Sequence, residues 1–154
     1  MAPVFFKSPE HRLRWLVALQ TMGKVYDGKI DQEYGAALYV LTADLDTWQQ
    51  AQTYVRREGI DFEALLAEGE FSGGYSVLIK WASNLFNGNT HVDPVELMRL
   101  DDTNFLVALT ALQLRRTSLP VSEAELYNAM IDEQNRISRE NRPKPWLPPI
   151  DGGD

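Results

Sequence analysis

The chain has 154 residues, 44% of them hydrophobic and 24% charged, which excludes wholesale disorder and allows one well-buried core. It contains no cysteine, which excludes disulfides and thiolate chemistry and suits a cytoplasmic address. Its formal charge of −7 divides as +3 over residues 1–30, −7 over 31–70, −4 over 71–135 and +1 over 136–154, and the acidic middle disfavours generic nucleic-acid binding.

The N-terminal stretch lacks the apolar core of a signal peptide, and no uncharged apolar run approaches the roughly 18 residues of a membrane span. Ser8 is a natural N-cap with Pro9 at the first helical position, which predicts a helix to about Met22 and a stop at Gly23. Leu13, Leu16 and Val17 form one stripe of it, and Trp15, Leu19 and Met22 another. After the Tyr26-Asp27-Gly28 turn, Asp31 caps a second helix with Tyr34, Ala37, Leu38 and Leu41 on one face. A third is expected from Asp44 or Asp46 to Arg57, with Arg56 and Arg57 at the negative end of its dipole and Gly59 as the stop. A short helix over 61–68 buries Phe62, Leu65 and Leu66.

The strongest periodicity lies over 74–86, where Tyr75, Leu78, Ile79, Ala82, Leu85 and Phe86 share a face and Gly88 ends the helix. Asp93-Pro94 opens a short turn carrying Val95, Leu97 and Met98. The helix from Asp101 or Asp102 to Arg116 is apolar on nearly all sides, with Phe105, Leu109 and Leu112 on one and Val107, Ala111 and Leu114 on another. Ser122 and Glu125 form a capping box for a last helix, which past Asp132 keeps only Ile137 as an apolar residue. The prolines after Arg142 end it. No internal repeat stands out, and strand signals are poor. The expected organisation is a helical domain over residues 1–142 and a Pro-rich tail over 143–154, flexible or docked.

Candidate chemistry is sparse. His11 reads as an exposed polar edge, and His91-Val-Asp93 lacks the spacing that puts two metal ligands on one helix face. Gly69 to Gly74 precedes a helix but lacks the lysine of a phosphate loop, and Glu68 and Glu70 repel an anion. The pairs Asp44/Asp46 and Asp101/Asp102 sit at helix starts, where capping accounts for them. The Lys144-Pro-Trp-Leu-Pro-Pro segment joins a stiff extended backbone to an aromatic anchor. It suits docking either on a partner or on the chain itself beside Phe5 and Phe6.

Four stretches carry a family likeness: Phe6-x-Ser8-Pro-Glu10-His11, Leu38-Tyr39-x-Leu41-Thr42, Asn84-Leu85-Phe86-Asn87-Gly88 and Leu100-Asp101-x-x-Asn104-Phe105. Over roughly residues 5–116 the chain resembles a small bacterial all-helical family catalogued as a domain of unknown function. The resemblance implies a helical fold and a mobile-element or phage-related setting, and it brings no catalytic residue with it.

The expectation is an all-α bundle of six to eight helices, centred on the 74–86 and 102–116 helices. Its expected function is a non-enzymatic interaction or self-association module, with Phe5, Phe6, Trp146 and Leu147 as contact residues and no cofactor or metal. A small hydrolase or ligand-binding domain is the first alternative and would unite His11, Glu33 or Asn84 in a pocket. The second is an acidic regulator that mimics nucleic acid through residues 31–70.

Overall fold

Ser8 and Pro9 start the first helix as their chemistry dictates. The Ser8 backbone is extended, its hydroxyl accepts the His11 N–H at 3.0 Å, and Pro9 fills the first helical position. The structure, a computed structural model, describes residues 4–141. Helix α1 (Pro9–Thr21) buries Trp15, Leu16, Ala18 and Leu19. It leads into a hairpin of two short strands, β1 (Val25–Tyr26) and β2 (Lys29–Ile30). Asp27 and Gly28, at φ 51° and 74°, make the turn whose twist matches a two-residue hairpin loop.

Asp31 ends the hairpin and caps helix α2 (Gln32–Leu41), its carboxylate accepting the Tyr34 N–H at 2.9 Å. Every residue from Tyr34 to Leu41 is buried, and α2 packs against α1 and against three later helices. The centre of the fold is therefore α2, which corrects the placement of the 74–86 and 102–116 helices there. The single-face pattern of Tyr34, Ala37, Leu38 and Leu41 hid this, because Gly35 and Ala36 are small rather than strongly apolar. Small residues let neighbouring elements close in on the remaining sides of the helix, and Trp15 donates its indole N–H to the Gly35 carbonyl at 2.9 Å.

Helix α3 (Leu45–Ala51) is shorter than expected. A single 3₁₀ turn (Gln52–Tyr54) follows, then a second hairpin of β3 (Val55–Arg56) and β4 (Gly59–Ile60). The helix expected to run to Arg57 stops because Val55 is needed opposite Ile60. The Arg57 guanidinium instead donates to the carbonyl of Thr21 at 3.3 Å, serving the end of α1. Asp61 then caps helix α4 (Phe62–Glu68), accepting the Ala64 N–H at 3.1 Å.

The two hairpins follow one pattern thirty residues apart. Val25 and Val55 pair with Ile30 and Ile60, Asp31 and Asp61 cap the helix that follows, and Glu33 and Glu63 stand in its first turn. The expectation of no internal repeat is corrected accordingly, and two short hairpins form where strand signals are poor. Each unit is a hairpin, an Asp cap and a helix, and the Tyr34 hydroxyl ties the first to the second by donating to the Arg56 carbonyl at 2.6 Å.

Helices α5 (Gly73–Asn87) and α7 (Asp102–Arg116) flank α2, with the short α6 (Pro94–Met98) between them in sequence. Gly88 closes α5 in the left-handed conformation, at φ 77°, and Asp93 with Glu96 forms a capping box for α6. Helix α8 (Glu123–Asn141) lies along α1 through Leu126 and Ala129, aided by an Arg12–Glu125 ion pair at 3.1 Å. Beyond Asp132 it is largely solvated and held by Arg136 paired with Glu133 and Glu140. Eight helices thus make up most of the described residues, an all-α arrangement. None is long and apolar enough to cross a membrane. The tail expected over 143–154 lies outside the described residues.

Candidate functional site

His11 lies fully buried, not on a polar edge. Its Nδ1 accepts the Lys7 backbone N–H at 3.1 Å, and its Nε2–H donates to the Tyr39 carbonyl at 2.8 Å. An amide N–H can only donate and a carbonyl can only accept, so the two partners fix one neutral tautomer. Burial lowers its pKa to about 4, and the charges of Arg14 and Lys7 act in the same direction. With both nitrogens engaged, His11 is neither a base nor a metal ligand. Its work is structural, joining the N-terminal segment to the end of α2.

Phe6 completes this joint. Its ring meets His11 edge-on at 5.1 Å, Trp15 at 5.5 Å and Tyr39 at 5.7 Å between centroids. The Tyr39 hydroxyl donates to the Phe5 carbonyl, and burial pushes that phenol up. Phe5 and Phe6, expected as contact residues, are half-buried against this chain's own core. Trp146 and Leu147 lie outside the described residues.

Asn84, Asp101 and Asp44 are also committed to partners. Glu33 stands exposed in the first turn of α2. Asn84 donates to the Thr90 carbonyl at 2.8 Å and Ser83 bonds the Thr90 hydroxyl at 2.6 Å, together pinning the loop after α5. His11, Glu33 and Asn84 are not brought together. Asp101 caps α7 by accepting the Asn104 N–H at 2.8 Å, and Asp102 follows it into the first turn. Asp44 makes no cap bond and holds Lys7 at 3.0 Å instead.

Lys7 is the residue that sequence reasoning passed over. Its ammonium meets Asp44, the Asn104 amide oxygen at 3.4 Å and the face of Tyr75 at 5.5 Å, joining three helices to the N-terminal segment. Burial favours its neutral form, but the Asp44 hydrogen bond and charge outweigh that and leave the pKa raised. A lysine held protonated in this way is a tether, not a nucleophile. Beside it opens a shallow groove of 660 Å³ lined by Asp44, Leu45, Asp46, Glu70, Phe71 and Tyr75 among others. Among the described residues, no group of three histidines, aspartates or glutamates is placed to hold a metal.

No buried side-chain nitrogen or oxygen among the described residues is left without a hydrogen-bond partner. Apolar surface, in contrast, is left open. Helix α7 buries Val107, Ala108, Ala111 and Leu114, while Leu106, Leu109 and Leu112 stay 45%, 43% and 45% exposed on its outer side. On α6, the helix just before it, Val95 and Met98 are 49% and 71% exposed. The sequence does contain this signal, because a helix apolar on two sides needs two coverings and the bundle supplies one.

The chain matches no protein-family model, no curated protein and no solved structure. Any functional reading therefore rests on these residues alone.

Proposed function

We propose that the chain is a non-enzymatic interaction module, acting by contact instead of by chemistry. One observation carries this reading: every buried side-chain nitrogen and oxygen among the described residues already has a hydrogen-bond partner, whereas three leucines of α7 face solvent. Leaving a leucine half exposed forgoes roughly 1 kcal/mol of burial, and a partner surface recovers it. Trp146 and Leu147 supply a second candidate contact, independent of α7.

The test is capture of proteins from producing bacterial cells by the tagged full chain. A parallel capture uses a variant carrying Leu106→Ser, Leu109→Ser and Leu112→Ser. All three positions are partly exposed, and circular dichroism checks that the variant keeps its helices. The reading expects at least one stoichiometric, sequenced partner, a second copy included, that the variant loses. Identical captures by both chains would remove α7 as the contact surface, and no partner captured by either chain would overturn the reading.

A further inference from the structure

The outer face of α7 is self-complementary. Asp102, Leu109 and Arg116 are spaced by seven residues, nearly two helical turns, so they lie along one line of the helix. Leu106 and Leu112 flank that line three residues to either side of Leu109. Counted outward from Leu109, the face therefore shows leucine at three positions in both directions. At seven positions it shows an acid one way and a base the other. Asp102 and Arg116 are both exposed, and neither enters an ion pair among the described residues.

Two copies of such a helix, crossed antiparallel on a two-fold axis at Leu109, place each residue opposite its mirror position in the count. Leu109 then meets Leu109 of the second copy, and Leu106 meets Leu112. Asp102 meets Arg116, and the symmetry makes that pair twice. A parallel arrangement would set Asp102 against Asp102 and Arg116 against Arg116, so charge selects the antiparallel one. The helix dipoles agree with that choice. The half-buried Phe105 and the exposed Gln113 take mirror positions too, widening the seam.

Building on the interaction reading, we propose that α7 is an isologous dimer interface on which a second copy of this chain docks antiparallel. Leu106, Leu109 and Leu112 form its seam and Asp102–Arg116 pairs close both ends. A helix of 15 residues spans about 22 Å, and one such pair falls short of the roughly 2,000 Å² or more of a permanent interface. The dimer therefore exchanges with monomer, and its population follows concentration.

Sedimentation equilibrium of the full chain, from about 5 µM to about 500 µM, reads this directly. A monomer–dimer equilibrium is expected, weakened about tenfold or more by Leu109→Ser. Asp102→Arg and Arg116→Asp should each weaken it roughly fivefold, while the double exchange restores it to within about twofold. Circular dichroism on each variant confirms that the monomer stays folded. A chain that is monomeric throughout overturns the proposal, and so does a dimer indifferent to Leu109→Ser or a double exchange no better than its parents. A monomer whose α7 leucines capture a different protein in cells defeats the second copy and leaves the interaction reading standing.

Discussion

A protonated His11 would set its own Nδ1–H against the Lys7 N–H, two donors facing each other at 3.1 Å in a fully buried aromatic pocket. The folded chain resists that proton and the unfolded chain does not. Folded His11 titrates at about 4 against an ordinary value of 6.5, so its contribution is fully present above pH 6.5 and drains away as pH falls toward 4. The shift corresponds to roughly 3 kcal/mol. Urea midpoints measured from pH 7.5 to 4 should fall for the parent chain and fall much less for His11→Gln, which has no proton to take up in that window. Parallel curves for the two would show that the burial of His11 is not coupled to pH. Nothing local announces this role. The residue follows a Ser-Pro cap as an ordinary first-turn histidine, and its acceptor Tyr39 lies 28 residues on.

The glycines of α2 and α5 look alike in sequence and differ in what surrounds them. A Cβ on Gly35 would come within 2.9 Å of Ile30 Cγ2, a stiff branched side chain locked in the hairpin. A Cβ on Gly73 meets nothing within 4 Å. Gly35→Ala should therefore destabilise by about 1–3 kcal/mol despite alanine's better helix propensity, and Gly73→Ala should stabilise by about 0.4–1 kcal/mol. Thermal or urea unfolding checks both, and a gain from Gly35→Ala would mean that Ile30 yields freely. The same contrast explains what the sequence did and did not disclose. Caps at Ser8, Asp31, Asp61, Asp93 and Asp101 are local chemistry, and the helices they open were legible. Two-residue strands offer no period to detect, so the hairpins emerge only when Val55 is seen opposite Ile60. Which of the two apolar sides of α7 stays uncovered was hidden for a related reason. Periodicity shows how many faces are apolar, and it is silent on how many neighbours arrive to cover them.

Two leucines on the two helices put the whole arrangement to one comparison. Leu38 in α2 is fully enclosed, at 0% exposure, and Leu109 in α7 keeps 43%. Hydropathy ranks them equal, whereas the fold does not. Leu38→Ala should cost about 2–5 kcal/mol, because neighbours packed from four helices cannot collapse onto the cavity. Leu109→Ser should shift the unfolding of the dilute monomer by only about 1–1.5 kcal/mol, since just over half of its side chain is covered and serine is the weaker helix former. Native-state hydrogen exchange extends the comparison to every amide. Those of α2 should open only with global unfolding, those of α7 next, and those beyond Asp132 in α8 first, where the helix is solvated and held by ion pairs. Slower exchange in α7 than in α2 at low protein concentration would move the centre of the fold back to α7. At high concentration, added protection confined to α7 is what a second copy on its outer face would produce.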